Sequence, residues 1–377
     1  MIEDNQKYLV KKYDEVEAVF IKTCGYENSA KNRVINMFQF GMKLPKIAKM
    51  YAKTNEKPDV IIASSPHPFT MMAGLKIAKK FGIPCICEVR DFWPEVFFYG
   101  GKLKETSLLG RMLLAGERRI YKKADGITFL KEGDHTYITE KGWSTEQGGS
   151  IDMDKCIYIN NGVDVKLFDK RVKDFHFEDA DFNSDKFKIV YCGTIRPVNN
   201  IDLILDTAKI LGDDYTFLVF GTGNCVEPLK KRIEEEQINN VKMKGYVDNK
   251  YIPSILSHSS LNLLNYSGKD YNWSRGNSSN KLFEYLASGK PVLSTVKMGY
   301  GIIERYNCGM SVERTTPEEI AEKIRTIKEL SSDTYADLCN ARKAVEEFDI
   351  PNLSDKYIAE IERIIIKFNS KKRKGDK

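Results

Sequence analysis

Short apolar runs alternate with amphipathic stretches along most of the chain, and this alternation limits the folds that it can adopt. Residues 59–65 and 83–89 have the composition of buried strands, and residues 69–81 between them have a helical period that ends at Gly82. Repeated strand–helix units of this kind form a parallel sheet that is covered by helices. The pattern therefore predicts an α/β fold.

A second series of strand and helix signals begins at residue 187. Residues 187–192 and 215–220 have the pattern of strands, and apolar positions at helical spacing predict a helix over 201–211. The stretch before this series is dense in Asp, Lys and Phe without a regular period. We therefore predict a first Rossmann-like domain over 1–165, a linker over 166–186, a second Rossmann-like domain over 187–350, and a helix with a basic tail over 351–377 that returns to the first domain.

Composition excludes several classes of protein. The 377 residues include 42% hydrophobic and 30% charged side chains, which is ordinary for a globular chain of two domains. No stretch approaches the roughly 20 apolar residues of a spanning helix, and the first residues do not form a signal-peptide core, so we expect a cytoplasmic protein. Eight scattered cysteines without a CxxC pair, and four histidines, predict reduced thiols and no metal site.

The loop 193–200 follows a predicted strand and carries a glycine and a cation. Gly193 would let a ligand approach the backbone, and Arg196 could pair with a phosphate. Neither a dinucleotide-binding fingerprint nor a P-loop is present. By itself the segment favours a simpler interpretation, a turn with a surface arginine.

Small polar residues over 276–280 precede a helix that ends at Gly289, just before the next strand. Lys281 and Glu284 lie three residues apart, so a cation and a carboxylate share one face of the first turns. A diphosphate needs a cation and free N–H groups, and a ribose diol needs a carboxylate. The alternative is a surface ion pair between the two side chains, worth only about 0.3–0.5 kcal/mol.

These residues belong to a longer motif. The sequences NKLFEY at 280–285 and ASGKPV at 287–292 resemble the donor-site signature of family 4 retaining glycosyltransferases, which have the GT-B fold of two Rossmann-like domains facing across a cleft. The resemblance covers nearly the whole chain and is closest to the branch that builds capsule or O-antigen repeat units. It extends to FGTG at 220–223, NVKMKGY at 240–246, NGVD at 161–164, SSPHP at 64–68 and EVRDFWPE at 88–95.

The resemblance implies a donor site in the second domain. Glu284 would bind the ribose hydroxyls, the backbone of 278–280 with Lys281 would face the diphosphate, and Arg196 would be a second phosphate cation. The loop 221–223 with Gly245 and Tyr246 would line the base pocket. The donor-binding residues expected on this basis are Gly193, Arg196, Gly221, Gly223, Gly245, Tyr246, Asn277, Ser278, Asn280, Lys281 and Glu284.

In the first domain the resemblance points to the end of the strand over 83–89. Members of the family usually carry His-Asp there, and this chain has Arg90 and Asp91, which we predict to be the catalytic pair beside the transferring sugar. The alternative is an internal ion-pair network of Arg90, Asp91 and Glu95 under Trp93. His67 is a candidate for the acceptor side, and a satisfied histidine at a helix start is the alternative.

Three departures from the family pattern stand out. Gly276 replaces the first glutamate of the usual Glu-x7-Glu pair, so we expect the donor sugar to be held by backbone N–H groups or Asn277. Thr194 and Asn199 stand where the loop usually has arginine and lysine. The first domain also lacks the strand, glycine-rich loop and helix with which the family usually begins.

Together these features predict transfer of a sugar from a nucleoside diphosphate sugar to a hydroxyl, on a lipid-linked acceptor in surface polysaccharide synthesis. We expect no cofactor, no metal and no nucleic-acid partner; the donor is a UDP-sugar first and a GDP-sugar second. The alternatives are a GT-B nucleotide-sugar epimerase and a catalytically inactive partner subunit.

Basic stretches predict a peripheral position at the inner face of the membrane, because the net charge of +6 is concentrated in the first half and the tail. The cations lie over 31–53, 111–123 and 371–377. An ordinary solvated surface is the alternative.

Overall fold

The structure, a computed structural model, describes residues 6–26, 29–99, 101–268 and 271–375. For residues 374 and 375 it describes the backbone only. The described chain forms two compact units. The first comprises residues 1–130, 135–159 and 357–377, and the second comprises residues 131–134 and 160–356. None of the described helices is both long enough and apolar enough to cross a membrane.

The first unit contains an antiparallel hairpin and a parallel sheet of four strands in the order β3-β4-β5-β6. Its strands are β1 (Tyr8–Tyr13), β2 (Val16–Ile21), β3 (Ile61–Ser64), β4 (Cys85–Val89), β5 (Gly126–Phe129) and β6 (Cys156–Tyr158). Its helices are α1 (Ala30–Tyr51), α2 (Pro68–Phe81), α3 (Trp93–Tyr99), α4 (Leu108–Lys123) and α5 (Thr136–Glu140). Within the described residues, β1 and β2 are the only strands before α1, and they pair with each other outside the parallel sheet.

The second unit is a six-stranded parallel sheet covered by helices. Its strands are β7 (Phe187–Cys192), β8 (Tyr215–Phe220), β9 (Val241–Gly245), β10 (Leu261–Leu264), β11 (Val292–Ser294) and β12 (Gly309–Ser311). Its helices are α6 (Val165–Asp174), α7 (Ile201–Leu211), α8 (Val226–Glu235), α9 (Ile252–Ser257), α10 (Asn280–Ala287), α11 (Ile302–Arg305), α12 (Pro317–Lys328), α13 (Ser332–Leu338) and α14 (Ala341–Glu347). The strand order β12-β11-β10-β7-β8-β9 is that of a doubly wound Rossmann sheet.

Local chemistry explains where several elements begin and end. Gly82 ends α2 in the left-handed region at φ +72°, where a residue without Cβ is favoured. The backbone N–H of Glu319 donates to Oγ1 of Thr316 at 3.3 Å, and Pro317 occupies the first turn of α12. The predicted α/β class with two Rossmann-like units is therefore confirmed.

The segment 166–186 is not a separate linker in the structure. It contains most of α6 and a short 3₁₀ turn over Ala180–Asn183, and it belongs to the second unit. Phe168 is buried in the core beneath the sheet, and Phe177 and Phe182 pack against that core. Val165, Phe168 and Val172 recur at helical spacing and face this core, so the segment carries a helical period that the linker prediction did not use.

The last helix, α15 (Ile350–Gly375), begins one residue before the predicted boundary. From Tyr357 onward it belongs to the first unit, where Ile364 is buried against Ile86 and Ile157. The hydroxyl of Thr128 also donates to the Tyr357 hydroxyl at 3.0 Å. Of the predicted basic tail, residues 376 and 377 and the side chains of 374 and 375 lie outside what the structure describes.

Candidate functional site

The second sheet changes its direction of growth between β7 and β10. From β7 the chain adds β8 and β9 on one side, whereas β10, β11 and β12 are added on the other. The loops that leave the carboxyl ends of β7 and β10 diverge at this point, where open α/β sheets form their ligand crevice. The loop 193–200 follows β7, and the chain after β10 leads to α10.

Lys281, in the first turn of α10, reaches the loop that follows β7. Its Nζ atom lies 3.1 Å from Oδ1 of Asn199 and 3.3 Å from the hydroxyl of Tyr191. The same atom lies 4.9 Å from the ring centre of Tyr191 and 4.5 Å from that of Tyr266, within the range of a cation–π contact. Neutral oxygens and aromatic rings therefore hold the ammonium group at the switch point of the sheet.

The Lys281 ammonium group has no carboxylate within 4.0 Å in the part of the chain that the structure describes. Burial disfavours the charged form and lowers the pKa of Lys281 to about 7. A bound anion would oppose this effect, because a nearby negative charge favours the protonated amine. This arrangement is typical of an anion-binding site, in which the protein supplies the cation and the ligand supplies the negative charge.

Asn199 is fixed in place by its neighbours. Its Nδ2 donates to the carbonyl oxygen of Thr194 at 2.6 Å. Its own carbonyl oxygen accepts from Nδ2 of Asn265 at 2.6 Å, and the same amide donates to Asn200 at 2.9 Å. The oxygen that Asn199 presents to Lys281 is consequently oriented by a network that joins the loops after β7 and β10.

The loop that leads into α10 is held from the other side. Nδ2 of Asn160 donates to the carbonyl oxygen of Asn277 at 3.1 Å, and Nδ2 of Asn161 donates to that of Ser278 at 2.6 Å. Oδ1 of Asn277 accepts from the backbone N–H of Ser279 at 2.8 Å. Nδ2 of Asn277 is buried and has no protein partner in hydrogen-bonding geometry within the described residues. The Asn277 side chain also interacts with the Tyr266 hydroxyl, where it opposes the rise in the Tyr266 pKa that burial causes.

Glu284 lies one turn along α10 from Lys281. Burial raises the pKa of its carboxyl group, and the distant charge of Arg171 partly offsets this effect. The carboxylate makes neither a side-chain hydrogen bond nor an ion pair with any described residue. The alternative of a surface ion pair between Lys281 and Glu284 is therefore wrong, and both groups are available to a ligand.

Glycines in the loops after β7 and β8 are needed because these loops pack closely together. A Cβ atom on Gly221, at φ +140°, would lie 1.8 Å from the carbonyl oxygen of Gly193, and one on Gly223 would lie 2.0 Å from that of Ile195. The two loops also pair through backbone hydrogen bonds, from Ile195 to Thr222 at 2.9 Å. Gly221 and Gly223 thus let the loops after β7 and β8 pack backbone to backbone, whereas Gly193 leaves room for the Lys281 side chain, 2.8 Å from where its Cβ would lie. A role of the loop 221–223 in the base pocket remains a prediction.

Four further predicted donor residues lie in or beside these loops and at the start of α10. Gly245 has φ +75°, and its carbonyl oxygen accepts from the backbone N–H of Gly221 at 2.7 Å. Tyr246, next along the chain, leaves 74% of its surface exposed. Arg196 is exposed, and its guanidinium group makes no ion pair with a described residue. Asn280 is the first residue of α10.

In the first unit, Arg90 and Asp91 follow β4 and are both exposed. The backbone N–H of Arg90 donates to Oγ of Ser65 at 3.2 Å, and neither side chain forms an ion pair within the described chain. The Trp93 indole donates instead to the carbonyl oxygen of Pro66. The alternative of an internal network through Arg90 and Asp91 is wrong, whereas their catalytic role remains a prediction.

His67 is buried at the start of α2. Its Nδ1 lies 3.3 Å from the hydroxyl of Thr70, and its ring contacts those of Phe40 and Phe69. Burial lowers the pKa of the imidazole. These contacts favour the structural alternative, a satisfied histidine at a helix start, over contact with an acceptor.

Sequence reasoning missed several residues that build the site. Tyr191 and Tyr266 are not among the residues predicted for the site, although each lies at or just beyond the end of a strand. Asn265 directly follows β10, and Asn160 and Asn161 follow β6 within three residues. A polar residue directly after a buried strand was the available signal, because ligand crevices lie at that edge.

Two families match the chain. Residues 172–344 match the family described as "Glycosyl transferases group 1", and residues 30–147 match the "Glycosyl transferase 4-like domain". The two matches together cover most of the described chain and coincide with the two Rossmann-like units. Both parts of this chain are therefore similar to families of glycosyltransferases.

One curated relative is the glycosyltransferase TuaH of Bacillus subtilis, which is named for teichuronic acid biosynthesis. It is 26% identical over 226 residues, which make up 57% of this chain and 53% of TuaH. The match thus spans about half the length of that relative.

Solved structures share the fold at low sequence identity. HepE from Anabaena, crystallised with UDP, has a TM-score of 0.64 at 16% identity over 85% of this chain and 82% of HepE. The sucrose-phosphate synthase of Thermosynechococcus elongatus has a TM-score of 0.64 at 14% identity over 99% of this chain and 86% of that enzyme. These similarities confirm the predicted GT-B fold.

Proposed function

We propose that this protein transfers a sugar from a nucleoside diphosphate sugar to a hydroxyl group of an acceptor. The observation that carries the proposal is the buried Lys281 ammonium group, which faces neutral partners at the switch point of the second sheet. A diphosphate supplies the charge that this site lacks. The donor would be a UDP-sugar, in keeping with the UDP and UDP-glucose bound in the HepE structures.

Each part of the site has a role in this proposal. Lys281 and the backbone of 278–280 bind the diphosphate, and the unpaired Glu284 carboxylate accepts from the ribose hydroxyls. Asn277 donates its side-chain amide to the donor sugar, where family members use a glutamate that Gly276 replaces here. Tyr246 provides an exposed aromatic face for the base.

The chemistry that follows is departure of the nucleoside diphosphate with retention at the anomeric carbon. We propose that Lys281 and the exposed Arg196 neutralise the leaving diphosphate without a metal ion, since cations aimed at developing charge stabilise a transition state. No group of three or more metal-ligating side chains occurs in the described parts of the chain. Asp91 and Arg90 would act from the first unit on the transferring sugar.

The acceptor we propose is lipid-linked, in the synthesis of a surface polysaccharide at the inner face of the membrane. The teichuronic acid assignment in the name of TuaH supports the polysaccharide part. The basic stretches over 31–53 and 111–123 support the membrane part. Sedimentation with vesicles tests it: pelleting should need anionic lipid and be reversed by high salt, and equal pelleting with neutral vesicles would contradict it.

Calorimetry with UDP in the presence of EDTA tests the donor site. We expect binding without divalent metal, and we expect Lys281→Met to weaken it by about 3 kcal/mol, because a charge-assisted contact to phosphate is lost. Lys290→Met, at the far end of α10, is the matched control and should bind UDP like the unaltered protein. A strict metal requirement, or equal affinities of the two variants, would contradict the proposal.

Two other outcomes would assign a different function. A chain that binds neither UDP nor GDP would be a catalytically inactive partner subunit. Conversion of the sugar of UDP-glucose in the absence of any acceptor, followed by product analysis, would indicate an epimerase.

A further inference from the structure

A cavity of about 840 Å³ opens in the first unit among α2, α3, α4 and α15. Its volume falls within the range of about 300–1,000 Å³ that is typical of small-molecule sites. Most of its lining is apolar, and includes Met72, Leu75, Phe97, Met112, Leu113 and Phe368. None of the predicted donor-binding residues lines it, so it is a second site on the protein.

Apolar side chains around the cavity remain in contact with water. Met112 is 63% exposed and Met72 is 53% exposed, and Leu108 and Leu109 continue the apolar surface toward the start of α4. Contiguous apolar surface of this kind indicates a binding site when polar groups surround it. The described residues leave this surface uncovered.

A second exposed apolar stripe adjoins the cavity. Val34, Phe38 and Met42 recur at four-residue intervals on α1 and are all exposed. The Phe38 ring contacts that of Phe69, which lines the cavity, with centroids 5.7 Å apart. Lysines and arginines accompany the stripe along the same helix, as in helices that lie in a membrane interface. The apolar surface therefore continues from α1 to the cavity.

Four cations line the same cavity: Lys76, Lys79, Arg119 and Lys123. None of them has a carboxylate within 4.0 Å among the described residues. The two acidic residues of the lining are engaged elsewhere. Glu117 accepts from the hydroxyls of Tyr121 and Tyr137, and Asp125 accepts from the backbone N–H of Cys85.

We propose that this cavity binds the hydrocarbon chain of a lipid phosphate, with the phosphate group held by Lys76, Lys79, Arg119 and Lys123. The apolar lining accounts for the chain, and the unpaired cations account for the anionic head group. The proposal rests on the proposed function only in identifying this lipid as the acceptor. Binding itself can be measured without sugar transfer.

The probe is dodecyl phosphate, titrated into the full chain by calorimetry below its micellar concentration. We expect saturable binding of one molecule per chain, much weaker binding of dodecanol, and no binding of inorganic phosphate at comparable concentrations. Dodecanol binding as tight as that of dodecyl phosphate would contradict the role of the cations, and absence of saturable binding would overturn the proposal.

Gly116→Phe places a ring in the cavity without displacing the fold, because a Cβ atom on Gly116 meets nothing within 4 Å. The matched control is Ala115→Phe, on the same helix but outside the lining. Blocking even a few methylene groups should weaken dodecyl phosphate binding about tenfold in Gly116→Phe and leave it unchanged in Ala115→Phe. Equal affinities in the two variants would overturn the proposal.

Two further measurements separate rival occupants. UDP binding should be the same in both variants, so that loss of the donor site is not mistaken for loss of the lipid site. Anionic phosphatidylglycerol vesicles should pellet both variants equally, because α1 is unchanged; loss of pelleting in Gly116→Phe alone would assign the cavity to bilayer lipid. A dimer that Gly116→Phe alone disrupts would assign it to a second copy of the chain.

Discussion

Each unit of this protein buries an ionisable side chain whose pKa lies near 7, yet the two groups have opposite surroundings. Glu117 in the first unit accepts a hydrogen bond at each carboxylate oxygen, 2.8 Å from Tyr121 and 2.7 Å from Tyr137. Lys281 in the second unit contacts only neutral oxygens and rings. Burial is the leading cause of both pKa shifts. The comparison shows that burial alone does not define a ligand site, since Glu117 already has its partners and Lys281 has no counter-ion among the described residues.

The two sheets also differ, in their strand order. The second sheet has strands on both sides of β7 and β10 and therefore a switch point. The first sheet runs in one direction from β3 to β6 within the described residues, so it forms no such crevice of its own. This topology explains why the candidate donor residues gather in the second unit.

The largest expected effect is the pH dependence of UDP binding. Free Lys281, with a pKa of about 7, must be protonated to bind a diphosphate, so affinity should fall as pH rises above 7. Between about pH 7 and pH 9 the protonated fraction falls roughly fiftyfold, and affinity should follow it. Calorimetry across this range measures the change. Lys281→Arg, which stays charged, should show a flat profile, and a flat profile in the unaltered protein would break the comparison.

The next effect concerns Glu284 and should distinguish the two units. Glu284→Ala should weaken UDP binding by about 2 kcal/mol, because a charge-assisted hydrogen bond to the ribose is lost. Glu95→Ala, in the first unit, removes a carboxylate that accepts from Tyr99 and should leave UDP binding unchanged. Equal affinities in the two variants would count against the assignment of the donor site.

A further effect concerns the free energy of unfolding rather than UDP binding, and it comes from Glu117 in the first unit. The pKa of Glu117 is raised to about 7, so the folded state holds a proton that the unfolded state releases above its ordinary pKa of 4.5. Stability from this group is full below about pH 4.5 and is lost as pH rises to 7, by about 3 kcal/mol. Urea unfolding at both ends of this window should show the loss. Glu117→Gln should lack it; an unchanged pH profile in that variant would assign the loss to other groups.

The smallest effect should come from Asn199. Asn199→Ala removes a neutral oxygen 3.1 Å from the Lys281 ammonium group, so UDP binding should weaken by about 1 kcal/mol. The exposed Asn224→Ala, in the loop after β8, provides a matched control and should have no effect. Tighter UDP binding in Asn199→Ala would show that Asn199 competes with the diphosphate for Lys281.

Much of the fold could be predicted because the strands of a parallel sheet are continuous apolar runs. The predicted bounds of β7 and β8, over 187–192 and 215–220, agree with the structure. The helix α6 was missed because its short apolar period, Val165, Phe168 and Val172, lies among many charged residues. Long-range packing of its aromatic neighbours, rather than local pattern, draws this segment into the second unit.

The sequence predicted which residues form the candidate site better than it predicted their contacts. The motif over 280–285 indicated Lys281 and Glu284, but their spacing alone could not distinguish a surface ion pair from two unpaired groups. The decisive information is the position of Tyr191, Tyr266 and Asn199, which come from distant parts of the chain. Spacing within one helix carries no information about what that helix packs against.

The lowered pKa of Lys281 also affects its reactivity. Near neutral pH a substantial fraction of this side chain is an unprotonated amine, and unprotonated amines are nucleophiles. Surface lysines, with pKa values near 10.4, are almost fully protonated under the same conditions. A small amine-directed acylating reagent used in limiting amount would therefore have a chemical preference for Lys281. The residue thus provides a covalent handle for marking the site and for following its occupancy by peptide mass spectrometry.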